Sequence, residues 1–415
     1  MRADRRVVGR GALRTALEAT GIETGASEHD EFGAVSAHAA ELVAVRGDSR
    51  LRTVLETLVG VDMPELGVNA SAELLHREDA AMNSLGEQAR SAISDDLLAS
   101  YLTARFGRRF EVHAVSQLSG GFSKTTTLAT VQVDGEDPYE IVLRQITPGR
   151  DAHTLVSEYE VVRYVWARGG DVPEPLWLEP EGNALGGPFF ASRRALGVNC
   201  GDVFGPEPGT TGAAGTELAT ALGRLHAISA DELVVTPVPP MADRAQIVAA
   251  IDEQRQLVAG VLKATNPSGL PLVDLLFAWL HAHVPKVTAR PVLLHGDPGF
   301  HNILIDDGAL TAMLDWERAR IGDPAQDLAY VRPHVTRVQP WEEFIAAYCA
   351  AGGVEPDDET LRFYSVWHDT WRFTGSYRGL GRLRTPRTLL DGVLGLLHAP
   401  RFLLSGLETA FEVTL

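Results

Sequence analysis

Apolar residues fall at three- and four-residue spacing over residues 12–17, 34–45, 51–58 and 72–92, with Gly21, Gly25 and Pro64 between the runs. This pattern predicts helices without strands, a helical extension over residues 1–93. The texture changes at about residue 94. A helix is predicted over 95–106, then strands over 111–118, 125–133 and 139–144, where β-branched and apolar residues alternate with polar ones. Gly120-Gly121 separates the first two strands, and Asp134-Gly135 between the second and third reads as a hairpin turn. A helix follows over 152–168, with Leu155, Val156, Tyr159, Val162 and Trp166 on one face. The stretch with Pro173, Pro175 and Pro180 reads as a loop, and 188–193 as a further strand. Beyond it the chain is mostly helical, over 212–228, 245–262 and 272–284, with one strand-rich interruption at 292–315. The expected class is α+β: an extension (1–93), a small antiparallel-sheet lobe (94–194) and a mainly helical lobe (195–415).

The chain has 415 residues, 45% hydrophobic and 22% charged, enough for two or three domains. Its net charge of −18 argues against a nucleic-acid groove, which needs a basic face. The apolar run at 272–280 is broken by Asp274 and is too short to span a membrane, so no membrane partner is expected. Cys200 and Cys349 are not spaced as a zinc site or redox pair, which fits a reducing cytoplasm. Five arginines within residues 1–14 are not followed by an apolar stretch, and no targeting peptide is expected. Only Lys124, Lys263 and Lys286 are lysines among 37 basic residues, so a task often given to lysine can fall to arginine here.

The chemistry lies between His295 and Asp315. Residues 302–305 read as a short strand, Asp307-Gly308 as a turn and 310–314 as the returning strand. Antiparallel pairing about that turn returns Asn302 to within a residue or two of Asp315, with Asp297 on the preceding loop. Three oxygen-bearing side chains thus converge at one hairpin end, which suits Mg²⁺ completed by nucleotide phosphates. Phosphoryl transfer also needs a carboxylate near the acceptor hydroxyl, and Asp297 is available for it. Between the first two strands, Gly120, Gly121 and Ser123 form a turn that can cover phosphates, the glycines allowing close backbone approach. Lys124 is open to two readings, a phosphate contact or a solvated cation.

The 295–327 segment resembles the catalytic and metal loops of the aminoglycoside phosphotransferase and choline kinase-like family, relatives of protein kinases. The resemblance spans roughly residues 110–380 and implies a bilobal kinase-like fold and an enzyme using ATP, with GTP open, and Mg²⁺. It implies Asp297 as catalytic base, His295 as a brace of the catalytic loop, and Asn302 and Asp315 as metal ligands. Asp323 and Asp327 would bond backbone amides. The third-strand position held by lysine in protein kinases is Arg144 here; its partner acid is expected at Glu158, with Glu160 as second choice. Residues 190–194, including Ser192 and Arg194, would meet the base. The Val142-Leu143-Arg144 strand and the run from Trp371 to Arg378 resemble a branch found as the kinase-like domain of eukaryotic acyl-CoA dehydrogenase fusions. That branch implies a hydroxyl on an acyl chain, such as a hydroxyacyl-CoA, as acceptor.

Arg372, Arg378, Arg382, Arg384 and Arg387 form an acid-free stretch in an acidic chain, suited to an anionic acceptor, with Arg372 and Arg378 as candidate substrate residues. A basic surface face is the other reading. An antibiotic phosphotransferase and a catalytically silent nucleotide-binding scaffold stand as alternatives. The extension leaves room for a homodimer.

Overall fold

The computed structural model describes residues 93–413, apart from 119–123, 147–151, 203–204, 208, 234–235, 266–270, 287–289 and 381–388. All but the last residue of the expected extension, together with Gly120, Gly121, Ser123, Arg382, Arg384 and Arg387, lie outside the described residues. The chain divides into two compact units. One comprises residues 90–246 and 286–361; the described part of the other comprises 247–285 and 362–413.

In the larger unit, α1 (Asp95–Phe106) is capped by the Ser94 hydroxyl, which accepts from the Leu97 N–H, and ends at Gly107, whose φ of +67° suits glycine. Then come β1 (Phe110–Leu118), β2 (Lys124–Val133) and β3 (Tyr139–Ile146). They are followed by α2 (Ala152–Trp166), β4 (Pro175–Glu179) and β5 (Phe189–Arg193). These strands make one antiparallel sheet in the order β1-β2-β3-β5-β4. The period of two splits their side chains between its faces. Leu98 and Leu102 of α1 pack with Ala129, Val131, Ile141, Leu143, Phe189 and Ala191. The alternate residues Ile146 and Phe190 pack with Leu155 and Tyr159 of α2. Lys124 and Arg144 lie on the α2 side, two residues apart diagonally across the β2–β3 ladder.

β4 is a correction to the proline-rich loop expected there. Pro175 opens an edge strand, where a missing N–H costs no ladder bond, and a bulge follows before Trp177.

After the short strands β6 (Gly201–Asp202) and β7 (Gly205–Pro206) comes α3 (Gly212–Ala227). The helix α4 (Arg244–Thr265) leads into α5 (Pro271–Ala282). The strand-rich interruption is β8 (Val292–Leu294), a 3₁₀ turn (Phe300–Asn302), β9 (Ile303–Asp306), β10 (Ala309–Met313) and β11 (Arg320–Gly322). β9 pairs with β10, and β11 returns to β8. The chain closes with α6 (Ala325–Val335), α7 (Trp341–Ala350), α8 (Asp358–Leu380) and α9 (Leu389–Phe411). Among the described residues no helix is long and apolar enough to cross a membrane.

The smaller unit is helical, with Ile247, Ile251, Leu276, Phe277, Leu280, Val366 and Leu407 in its interior. Polar ties run through it: Gln254 Nε2 donates to Thr374 Oγ1 (2.7 Å), and Ser405 Oγ donates to Asp369 Oδ2 (2.7 Å). Burial pushes the Asp369 carboxyl up to about 6, against the opposing pull of Arg372 and Ser405. An exposed aspartate titrates near ~4, so between roughly pH 4 and pH 6 the folded protein holds a proton the unfolded chain has released. Stability contributed by that proton is complete below this window and lost as pH rises through it. Asp369→Asn, which keeps a neutral amide, is expected to flatten the stability-versus-pH curve there, by on the order of 2–3 kcal/mol across the window. Urea titrations at several pH values read this directly, and an unchanged slope in the variant would exclude Asp369 as its source.

Candidate active site

The β9–β10 hairpin turns through Asp307 (φ +47°) and Gly308 (φ +82°), the two positive angles of a two-residue turn matched to strand twist. The returning strand carries Leu314 opposite Asn302, where the Leu314 N–H donates to the Asn302 carbonyl at 2.7 Å. Asp315 follows at once, in the left-handed region at φ +65°. Such a conformation in a non-glycine residue is sparsely populated and occurs at functional sites. Asn302 Nδ2 donates to the Asp297 carbonyl at 3.0 Å, which assigns Oδ1 as its remaining ligand atom. The hairpin therefore brings Asn302, Asp315 and the Asp297 loop to one end, as the sequence spacing requires.

His295 is buried and ties this loop together. Its Nε2–H donates to the Leu314 carbonyl (2.9 Å), and its Nδ1 accepts from the Asp297 N–H (3.2 Å). Burial holds its pKa below the ordinary histidine value, which suits a neutral ring that both donates and accepts. Gly296 has φ +83°, and a Cβ there would lie 2.3 Å from the Arg318 carbonyl oxygen, so only glycine fits.

Beneath the loop, Asp327 of α6 accepts the His295 N–H at 2.8 Å and the Gly296 N–H at 2.9 Å. It also contacts His226 Nε2 at 3.2 Å, and His226 Nδ1 lies 2.8 Å from the Tyr348 hydroxyl. A Tyr348 hydroxyl donating to Nδ1 leaves Nε2–H to donate to Asp327. Burial opposes ionisation of Asp327, but His226 and the backbone donors outweigh it and hold the carboxyl low. Asp323 accepts the Ala325 N–H at 2.9 Å. Both aspartates bond backbone amides in the way the sequence indicates. His226, the partner of Asp327, and Tyr348, the partner of His226, carried no local signal, lying 101 residues before Asp327 and 122 residues after His226 respectively.

The sheet contributes the cations. Glu158 of α2 is fully buried and lies 2.8 Å from Lys124 Nζ and 3.5 Å from Arg144 Nη1. These are ion-pair contacts whose angles fall outside hydrogen-bond alignment. Lys124 Nζ also donates to Glu317 Oε2 at 2.7 Å and lies 3.8 Å from Asp315. Arg144 Nη2 donates to Asp315 Oδ1 at 2.9 Å. Burial opposes the Asp315 charge, but Arg144 and then Lys124 hold its carboxyl below the usual range. Arg144 and Glu158 are thus neighbours, while Glu160 pairs with Arg163 at 2.6 Å. Lys124 is buried rather than solvated. Glu317 was not singled out by the sequence pattern, nor was the pairing of Lys124 with Glu158.

Ser192 belongs to β5 and Arg194 is the residue that follows it. Ser192 is buried within β5, opposite Val142. Arg194 bonds both carboxylate oxygens of Glu140 at 2.9 and 2.7 Å, and its N–H donates to the Glu140 carbonyl. Arg372 and Arg378 sit on α8 in the smaller unit. Arg372 is mostly buried, 3.9 Å from Asp369 and over the Phe402 ring, whereas Arg378 is exposed.

Among the buried polar atoms of the larger unit without an aligned partner, two face chemistry of opposite kind. Arg144 Nε is a buried donor without an acceptor, and Asp297 Oδ1 a buried acceptor without an aligned donor. A phosphate oxygen suits the first and a hydroxyl the second. Among the described residues no group of three or more His, Cys, Asp or Glu side chains could hold a metal. Asn302 and Asp315 supply two hard oxygens, which fits Mg²⁺ completed by phosphates and water better than a cation caged by protein alone.

Comparison with known proteins agrees with this geometry. The chain is 27% identical over 254 residues to mouse acyl-CoA dehydrogenase family member 10, a match taking in 55% of this chain but only 23% of that protein. It is 29% identical over 234 residues to streptomycin 3''-kinase of Streptomyces griseus, covering 52% of this chain and 80% of the other. A solved structure from Ralstonia eutropha, a candidate aminoglycoside phosphotransferase, superposes with a TM-score of 0.58 at 18% identity, over 78% of this chain and 99% of that one. This last likeness is one of fold, and it is the kinase-like α+β fold with an antiparallel sheet followed by helices. The model of the family described as "Phosphotransferase enzyme family" matches residues 114–364. That match takes in Lys124, Arg144, Glu158, the Asp297 loop and Asp327, and more than half of the 415 residues, so the chain belongs to the phosphotransferase enzyme family.

Proposed function

We propose that this protein transfers the γ-phosphoryl group of ATP, with Mg²⁺, to a hydroxyl of a small anionic metabolite, a hydroxyacyl-CoA being the chemistry that suits it best. The observation that carries the reading is the pair of unmet buried atoms, Arg144 Nε and Asp297 Oδ1, in a unit that also presents Asn302 and Asp315. When bound, the Mg²⁺-nucleotide supplies the phosphoryl group and a cation that screens its charge. Arg144 grips a phosphate oxygen through its planar fork, steadied by Asp315 and Glu158. Asn302 Oδ1 and Asp315 hold the cation. Asp297 orients the acceptor hydroxyl and takes its proton as the acceptor oxygen bonds to phosphorus and the bond to the ADP oxygen breaks. The backbone of residues 190–194 would meet the adenine, with the exposed apolar Leu196 and Val198 following β5 in the chain.

The anionic acceptor is supported by the acid-free arginine run on and after α8, in which Arg378 is exposed, and by similarity to the acyl-CoA dehydrogenase family members. An antibiotic acceptor is the second reading, favoured by the match to most of streptomycin 3''-kinase. Nucleotide consumption by the full chain with Mg²⁺, measured against hydroxyacyl-CoAs, neutral alcohols, aminoglycosides and macrolides, separates the two. Turnover with a hydroxyacyl-CoA that weakens as salt rises is expected. Turnover confined to a cationic antibiotic would overturn the acceptor assignment and leave the chemistry in place.

A further inference from the structure

The Asp297 backbone is held by three hydrogen bonds. The Asp297 carbonyl accepts from the Gly299 N–H (2.8 Å) and from Asn302 Nδ2 (3.0 Å), and its N–H donates to His295. The carboxylate oxygen Oδ1 has no aligned hydrogen bond. A histidine the reading above does not use lies across from it: His301 Nε2 is 3.5 Å from Oδ1, four residues along the same loop.

The His301 ring is held in that place by the chain beneath it. A Cβ on Gly299 would lie 2.3 Å from both Cε1 and Nδ1 of the ring. The imidazole therefore rests directly on the Cα of residue 299, and any larger residue there would have to displace the ring. The 3₁₀ turn Phe300–Asn302 carries the ring and also fixes Asn302. One short loop thus sets the carboxylate's neighbour and the amide ligand together. The contact of 3.5 Å is longer than an aligned bond, as catalytic contacts often are before the reactants are assembled.

We propose that His301 is a positioning residue: its Nε2–H, seated by Gly299, sets the rotation of the Asp297 carboxylate that receives the acceptor hydroxyl. The inference rests on the phosphotransferase reading of Asp297. Small misplacements of a reacting group cost as much as ~100-fold in rate, so the expected effect lies in turnover and not in nucleotide affinity.

The test uses the full chain with Mg²⁺ and ATP, the acceptor being the one found in the panel above, or water where none is found. His301→Ala is expected to lower kcat roughly 10- to 100-fold with the ATP KM changed less than about threefold. His301→Gln, whose Nε2 can donate from a similar reach, should recover most of that loss. Gly299→Ala, which displaces the ring without removing it, should reproduce the His301→Ala defect, and the double variant should be no worse than either alone. A crystal structure of His301→Ala should show the Asp297 side-chain torsion moved, and this decides the matter where turnover is too slow to measure. Turnover within about twofold of the unaltered protein, multiplicative losses in the double variant, or an unmoved torsion would each overturn the proposal. Asp297→Asn, assayed alongside, keeps the two levels apart. An inactive Asp297→Asn with a normal His301→Ala sinks the positioning role alone. A normal Asp297→Asn sinks the reading of the site on which it rests.

Discussion

Asp297→Asn is expected to slow phosphoryl transfer by roughly 10²–10⁴-fold while the ATP KM changes by less than about threefold. The substitution is nearly isosteric, so the backbone bonds to His295, Gly299 and Asn302 survive it. What disappears is a negative oxygen that can orient a hydroxyl and take up its proton. Burial would raise the Asp297 carboxyl, but His301 and then Tyr330 hold it well below the usual carboxylate range, so it is ionised across the physiological range. Steady-state kinetics varying ATP and acceptor separately checks the expectation. A fall in kcat matched by an equal rise in the ATP KM would show that the residue binds nucleotide and does not act on the acceptor.

The Asp297–Asp315 stretch was readable because its geometry is local. A two-residue turn sets the register of β9 and β10 to within the one-residue bulge between Leu310 and Ala312, close enough to bring Asn302 beside Asp315. Period-two alternation likewise places Arg144 on the α2 face of the sheet, within reach of Glu158. What escaped was long-range. Lys124 and Glu317 are 193 residues apart, and no spacing rule joins them. His226, Tyr348 and Asp327 come from three helices whose packing the pattern does not specify. β4 was masked by Pro175, a strand breaker everywhere except at an edge or a first residue. His301 looked like any loop histidine, and only the closeness of its ring to Gly299 distinguishes it.

The sheet's cations divide the work unequally, and that division carries the largest expected stability effect. The sequence pairs Glu158 with Arg144, yet Lys124 makes the shorter contact, 2.8 Å against 3.5 Å, and Arg144 spends its aligned bond on Asp315. A carboxylate with no solvent exposure relies on its cation, since breaking a buried pair by removing one partner costs about 3–5 kcal/mol. Lys124→Met keeps the length of the side chain and removes the charge. It should therefore destabilise the larger unit by about 3–5 kcal/mol in urea titrations. Adding Glu158→Gln should restore much of the loss, because the charge left stranded is then gone as well. Arg144→Met should cost less stability but weaken ATP binding, since its Nε is buried without a protein acceptor and is free for the proposed phosphate contact. A Lys124→Met protein within about 1 kcal/mol of the parent would mean that Arg144 alone suffices to hold Glu158. The longer contact foreseen from the third strand would then be the one that matters.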